Sequence, residues 1–339
     1  MTIFTIADEL ERAGHECSIW IHDPDRMMWG GAAVSKKEID EHFVPLRAPV
    51  FDGFDQWRGA DVAFATGWQT AYPLRGLEDC MLKAYLVQDF EPDFYPASAQ
   101  RLWAEETYRM GYLAVTASPW LSEVLRDTYG SATETFDLGV DHDLYRRADV
   151  PRRDDTVVFY ARPSTPRRAT ELGILALGEL VRRHPELRVV LFGDVGPLRV
   201  PFPHESLGVL AAPALARLYS EATVGLVISL SNYSRMPKEM MACGLPVVDV
   251  RHPSVMSAFG GGEDVIELAG MDLVSIADRL ESLLDDPARR ESLAVAAESF
   301  VAPMTWRAAA GQVEAAVRRG LQARLEAAGQ LPGRRSPSR

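Results

Sequence analysis

Short apolar runs rich in β-branched residues alternate along the chain with longer segments whose apolar positions recur every three or four residues. In the second half, TVVFYA (156–161), LRVVLFG (187–193), SLGVL (206–210), VGLVISL (224–230) and PVVDV (246–250) predict strands. Between them, helical spacing predicts helices over 168–184, 213–222 and 236–243. The first half follows the same grammar: a helix over 3–13, strands within CSIWIHD, DVAFATGW, KAYLVQDF and YLAVTAS, and helices near 98–110 and 119–129. Three more helical segments, near 272–285, 287–300 and 305–327, close the pattern. Such alternation predicts an α/β protein of two doubly wound, Rossmann-like domains.

The charged, proline-containing run RRADVPRRDD, 146–155, reads as a linker. It leaves a first domain over 1–145, a second over 150–305 and a closing helix over 306–328. The tail 329–339, GQLPGRRSPSR, is rich in Pro, Ser and Arg and is expected to be disordered. A doubly wound domain normally opens on a strand, whereas helical sequence begins here at residue 2, with TIFTIADELERAGHE. That missing first strand would leave its neighbours unpaired, and a clipped start is the expectation.

Composition narrows the chemistry. With 339 residues, 47% apolar and 25% charged, the chain can bury two ordinary cores. A formal charge of −12 argues against a nucleic-acid partner, because phosphate backbones are held by clustered Lys and Arg. Cys17, Cys80 and Cys243 lie far apart without a CxxC, which points away from a disulfide framework and from zinc. The seven histidines are scattered without ligand spacing, and no metal is expected. No apolar run approaches the length that spans a bilayer, and no secretory leader opens the sequence. The expected location is cytoplasmic, with at most weak peripheral association at the inner membrane face through the tail.

Two stretches carry candidate chemistry. After VGLVISL the chain passes through SNYSR into a helix that opens MPKE and stops at Gly244 and Pro246. Such a helix turns free backbone N–H groups toward the carboxyl edge of a parallel sheet, where anions and nucleotides bind. Taken alone, the loop is equally well read as a Ser234 cap with Glu239 completing it. The second stretch, RPSTPRR, puts Arg162, Arg167 and Arg168 in the loop after TVVFYA. Guanidinium forks suit phosphates, and this loop is expected to leave the same sheet edge as SNYSR. Gly193 in LFGDVG and the SLGVL loop ending at Leu210 add weaker signals, a close backbone approach and a cover for a flat base.

The order of YARPSTPRRATEL, LFGDVG, LGVLAAPALARLYSEATVGLVIS and SRMPKEMMACGLPVV resembles the carboxyl-terminal domain of glycosyltransferase family 4, the retaining GT-B enzymes. Its nearest likeness is to the bacterial rhamnosyltransferase branch of S-layer glycan synthesis. In the first half TIFTIADELERAGHECSIW, YLVQDFEPDFYPAS, VTASPWLSEVLRDTYG and FDLGVDHDLY resemble that branch in order, so the resemblance spans about residues 2–306. It implies two Rossmann-like domains facing a cleft, with a nucleotide sugar held by the second and a glycan or lipid-linked glycan acceptor at the first. By position, Arg162, Arg167 and Arg168 match the diphosphate-holding basic residues. Ser234, Arg235 and Met236 match the loop whose amides meet phosphate, and Glu239 the carboxylate that takes ribose hydroxyls. Ser231 stands where many relatives carry a glutamate, and Gln88 where many carry a histidine beside Asp89. Phe90 and Glu91 complete the acceptor-side candidates, and Phe94 and Tyr95 add rings that would cover a sugar face or pack the core.

Stabilising a departing diphosphate is most of what a nucleotide-sugar reaction needs, and arginines with a helix dipole supply that field without a metal. No DxD stands at the candidate loop positions. The resemblance therefore implies a metal-independent retaining transferase using a dTDP- or UDP-linked sugar, with L-rhamnose from dTDP-L-rhamnose as the expected donor. Two alternatives stand beside it: a non-catalytic nucleotide-sugar-binding subunit, and a dinucleotide-dependent oxidoreductase, for which the GxGxxG turn is lacking.

Overall fold

The computed structural model describes residues 2–22, 35–42, 45–193, 198–260 and 264–329. The chain divides into two units, Met1–Asp137 with Trp306–Arg339, and Leu138–Thr305.

In the first unit the elements run α1 (Thr2–Arg12), β1 (Ile19–Ile21), α2 (Lys36–His42), β2 (Val50–Asp52), β3 (Ala60–Ala65), α3 (Trp68–Gly76), β4 (Cys80–Val87), α4 (Ala99–Thr107), β5 (Leu113–Thr116), α5 (Pro119–Tyr129) and β6 (Thr133–Thr135). Strands β3 to β6 form one parallel sheet in sequence order, and β1 pairs with β2 in a separate parallel ribbon. Helix starts follow local chemistry. Ser98 accepts from the Arg101 amide and Ser118 from the Leu121 amide, and Pro119 takes the first helical position of α5. Gly130 ends α5 at φ +68°. Helix α3 is legible in the structure but not in the sequence, because Pro73 lies inside it and its apolar spacing is weak.

The second unit holds β7 (Thr156–Tyr160), α6 (Thr170–Arg183), β8 (Arg188–Phe192), β9 (Glu205–Ser206), α7 (Ala212–Glu221), β10 (Val224–Leu226), α8 (Met236–Ala242), β11 (Val247–Val250), α9 (Pro253–Ala258), β12 (Glu267–Ala269), α10 (Leu273–Asp285) and α11 (Pro287–Val301). Its sheet is wholly parallel, in the order β12-β11-β10-β7-β8-β9. The first strand, β7, therefore sits mid-sheet, and the order of winding reverses between β7 and β10. In doubly wound sheets that reversal opens a crevice at the carboxyl ends of the two strands. Val157, Phe159, Leu177, Leu180, Leu191, Leu226, Val248 and Ile276 are buried around this sheet. Each such side chain contributes about 1.5–3 kcal/mol by leaving water. Gly173 lets α6 lie against β7, since a Cβ there would stand 2.1 Å from the Phe159 ring. The closing helix, α12 (Trp306–Ala327), returns to the first unit and packs on α1, β4 and β6.

Two strands are shorter than their apolar runs. The run 206–210 is a strand only at Glu205–Ser206, because Gly208 turns the backbone to φ +61°. The run 224–230 pairs as a strand only at Val224–Leu226, and by Ser229 the backbone N–H goes to the Asp249 side chain instead. The stretch 146–155, expected as a linker, is bound into the second unit. Arg152 donates to the carbonyls of Ala222 (2.7 Å) and Cys243 (3.1 Å), the residues that end α7 and α8, and Arg147 pairs with Glu291 at 2.9 Å. The expected disorder of 329–339 falls outside the described residues beyond Gly329, as do residues 194–196 of LFGDVG.

Candidate functional site

The loops after β7 and β10 meet at the point where the winding reverses. The Leu230 amide donates to the Arg167 carbonyl at 3.2 Å, and Arg168 Nη1 donates to Ser229 Oγ at 3.2 Å. The first loop is tied upon itself by Thr165 N–H to the Arg162 carbonyl and Arg168 N–H to the Thr165 carbonyl, both at 2.9 Å, and by Arg162 N–H to Thr170 Oγ1 at 3.0 Å. It ends on Ala169 at φ +38°, a left-handed conformation that costs about 1–2 kcal/mol for a residue with a Cβ. Arg162 is exposed, with Nη1 3.4 Å from the Tyr160 hydroxyl, while Arg167 and Arg168 are half-buried.

Ser229 is the joint between the loops. Its hydroxyl donates to Asp249 Oδ2 at 2.9 Å and accepts from Arg168 and from the Ser234 amide, each at 3.2 Å. One proton and two lone pairs are all a hydroxyl has, so its capacity is fully used. Asp249, on β11, has no exposed surface; its Oδ1 accepts from the amides of Ser229 (3.0 Å) and Val250 (2.8 Å). Burial pushes its carboxyl up to about 7, against the pull of the Val250 amide, Ser229 and Arg168.

Beyond this joint the SNYSR loop is deeply buried within its own unit. Ser231 has no exposed surface and its Oγ has no hydrogen-bond partner. Ser234 Oγ accepts from the Met236 amide at 3.3 Å, and the helix begins at Met236 with Pro237 second, so Ser234 is one position outside the cap, which is Arg235. Two of the three amides expected to meet phosphate, those of Ser234 and Met236, thus already have side-chain acceptors. Arg235 Nε lies 2.6 Å from Glu239 Oε1, and Glu239 is 3% exposed. Burial raises the Glu239 carboxyl to about 6, with Arg235 and the Tyr145 hydroxyl offsetting part of the cost, and Oε2 makes no hydrogen bond of ordinary geometry. Gly193 sits at φ +110° with its amide on the Gly208 carbonyl (2.8 Å); a Cβ would stand 2.6 Å from the Ala161 carbonyl. That brings the half-buried Leu210 loop beside the strand ends.

Lys238 was not singled out in the sequence, yet it is wholly buried in the same helix. Its Nζ donates to the Leu138 carbonyl (3.3 Å) and to the Tyr233 hydroxyl (3.1 Å), and lies 4.8 Å above the Tyr233 ring. Tyr233 in turn accepts from the Leu138 amide at 3.2 Å. Both backbone polar groups of Leu138 are thereby held by this loop and helix.

In the first unit the candidates separate. Phe90 is half-buried against the first unit's core, stacked on Tyr108 at 5.8 Å and packed against Trp120 and Tyr129. Glu91 is 5% exposed, and its Oε2 accepts from the Trp68 amide at 2.6 Å, so it anchors the start of α3. Asp89 is 8% exposed, with Oδ1 on the Phe90 amide at 2.9 Å, and Gln88 beside it is half-buried. Tyr95 leaves the core and joins Trp68. Among the described residues no group of three His, Cys, Asp or Glu side chains could hold a metal ion. None of their helices is long and apolar enough to cross a membrane.

Comparison with known proteins follows this geometry. Residues 51–117 match the family described as "WsaF, N-terminal domain", and residues 155–281 match "WsaF, C-terminal domain". Both WsaF domains are matched, in chain order. The chain is 32% identical over 259 residues to the O-antigen biosynthesis protein RfbC of Myxococcus xanthus, covering 75% of this chain but only 20% of that protein. Among solved structures it is similar to a sucrose-phosphate synthase from Thermosynechococcus elongatus, with a TM-score of 0.72, 19% identity and 95% and 93% of the two chains covered. It is also similar to HepE of Anabaena in complex with UDP-glucose, with a TM-score of 0.68, 15% identity and 97% and 95% covered. The WsaF-like chain accordingly has the GT-B fold, two parallel α/β units.

Proposed function

We propose that this WsaF-like chain is a glycosyltransferase that takes a sugar from a nucleoside diphosphate donor and passes it to a growing surface glycan. The observation that supports it most is the joining of the arginine loop after β7 to the SNYSR loop after β10, at the winding reversal of the second unit's sheet. That edge is where doubly wound sheets bind nucleotides. The relatives fit the reading: HepE was solved with UDP-glucose, and RfbC is named for O-antigen biosynthesis.

In this reading Arg162, Arg167 and Arg168 meet the diphosphate, the last aimed by Ser229 and Asp249. Glu239 takes the ribose hydroxyls, with Oε2 as its unspent acceptor. Positive charge fixed before the reaction stabilises the leaving group as negative charge develops on it. The reaction is read as retaining and metal-independent, the departing phosphate oxygen receiving the proton of the acceptor hydroxyl as the new bond forms on the same face. The donor is read as dTDP-L-rhamnose and the acceptor as a glycan or lipid-linked glycan, reached in the cytoplasm at the inner membrane face by weak peripheral association. Asp89 orients the acceptor hydroxyl.

Calorimetric titration of dTDP, UDP and GDP sugars into the protein tests this. Arg162→Ala and Glu239→Ala are each expected to weaken the preferred nucleotide by about 1.5–3 kcal/mol, the worth of a charge-assisted hydrogen bond. Unchanged affinity in both, with the fold intact, refutes the site; nucleotide binding without sugar transfer to any glycan acceptor refutes the activity.

A further inference from the structure

Asp249 stands on β11 with no exposed surface, behind the joint between the two loops of the second unit. Its Oδ1 is taken by the amides of Ser229 and Val250, and its Oδ2 by the Ser229 hydroxyl, whose two lone pairs serve Arg168 and the Ser234 amide. That is the pattern of an ionised carboxylate, which only accepts. Once the acid takes up a proton, Oδ2 becomes a donor toward Ser229 Oγ, 2.9 Å away. Ser229 then meets three donors with two lone pairs, and one donor must leave. The Ser234 amide is backbone at the entry to α8, whereas Arg168 is a half-buried side chain that can turn. A proton on Asp249 and an arginine on Ser229 therefore exclude one another. Other charged groups around Asp249 have partners of their own. On β12, Glu267 pairs with Arg279 of α10 and Arg289 of α11, and the residue in register with Asp249 is the apolar Leu268. On α8, Glu239 lies beside Arg235, and Lys238 is held by Leu138 and Tyr233. Arg251 and His252 follow in the chain, and His252 Nδ1 accepts from the Ser254 amide to cap α9. Arg168 is the charged neighbour whose attraction favours the Asp249 carboxylate.

We infer that Arg168 is shared between Asp249 and the diphosphate, so that binding a nucleotide sugar draws a proton from solution onto Asp249. The inference rests on the donor-site reading above, since it needs the diphosphate to meet Arg168. Two effects then act in one direction. Phosphate oxygens take up the guanidinium charge that favours the carboxylate, and the diphosphate adds negative charge of its own. Both favour the neutral acid, whose proton settles on Oδ2 and releases Arg168 from Ser229. By linkage, the protonated protein binds the donor more tightly, and affinity rises as pH falls toward the range in which Asp249 titrates, about 7. Asp249 is thus a positioning residue that touches no ligand and sets, through Ser229, the pH range in which Arg168 is released to the phosphates.

Calorimetry of dTDP-, UDP- and GDP-glucose binding, each in two buffers of different ionisation enthalpy, counts the proton. Sugar-linked diphosphates are the probes because a free terminal phosphate itself titrates, at about 6. If the donor raises Asp249 by about one unit, roughly half a proton should be taken up per nucleotide sugar at about pH 7.5. Affinity should rise about fourfold from about pH 8.5 to about pH 7, above the range of Glu239. Asp249→Asn, neutral at every pH, should take up no proton and keep at about pH 8.5 the tighter binding that the intact protein shows near pH 7. Arg168→Gln, which removes the shared cation, should bind more weakly and take up less proton. Binding whose heat does not depend on the buffer overturns the inference and leaves the donor site standing. Uptake that persists in both variants overturns it as well, as does an Asp249→Asn protein weakened by one factor at every pH with its uptake unchanged. If none of the three nucleotide sugars binds the intact protein, the donor-site reading fails and this inference with it.

Discussion

Asp249→Asn isolates the one buried carboxylate on which both loops hang. Asp249 titrates at about 7 in the folded protein, against 3.8 for the ordinary group. Between those values the folded state holds a proton that the unfolded chain has released. Stability from this group is therefore full below about pH 4 and is lost as pH rises through the folded value. From the same two values, moving from about pH 5 to about pH 8 removes roughly 2.5 kcal/mol. Asparagine has no proton to lose, so the variant's curve should lack that slope, although Glu239, also raised, leaves its own part near pH 6 in both proteins. The substitution carries a fixed cost as well. Asn Nδ2 would point a donor at Ser229 Oγ, whose two lone pairs already serve Arg168 and the Ser234 amide. The variant should thus be the weaker protein near pH 5 and draw level near pH 8. All seven tryptophans lie outside Leu138–Thr305, with Trp306 directly following it, so their fluorescence is not specific to this unit. Urea unfolding at each pH is best followed by circular dichroism and by exchange protection of the Val247–Val250 peptide. A pH dependence in the difference between the two proteins below about 0.5 kcal/mol would refute the burial argument.

Further predictions rest on single contacts. Gly173→Ala puts a methyl group 2.1 Å from the Phe159 ring and should cost about 1–3 kcal/mol of second-unit stability by overpacking, measured by chemical unfolding. Tyr233→Phe strips the Leu138 amide and Lys238 of a shared acceptor and should cost about 1–3 kcal/mol in the same assay. Nucleotide affinity should fall as pH drops below about 6, because a protonated Glu239 accepts fewer hydrogen bonds from ribose; Glu239→Gln should flatten that profile.

What the sequence revealed follows from which physical signals are local. Helices such as Pro119–Tyr129 were legible because cap, first-turn proline and stop glycine all lie within the element. The meeting of RPSTPRR and SNYSR was inferable too, since every loop that follows a parallel strand leaves by one edge. Strand ends were not: the run 224–230 stays apolar past the point where Asp249, twenty residues on, captures the Ser229 amide. A polar residue inside VVDV or VISL was nevertheless a usable sign, because an acid in a buried strand must find partners. Lys238 could not be recognised as buried, since a lysine in the first turn of a helix reads as solvated until Leu138, a hundred residues earlier, is seen beneath it. The rings of the first unit teach the converse. In QDFEPDFYP every aromatic had equal claim to the core or to a ligand. Packing divides them: Phe90 lies against Tyr108, Trp120 and Tyr129, whereas Tyr95 turns to Trp68 and, through it, to the exposed Trp103. Which ring serves which purpose is set by neighbours from other elements, so only three-dimensional proximity could assign the outer set a surface of its own.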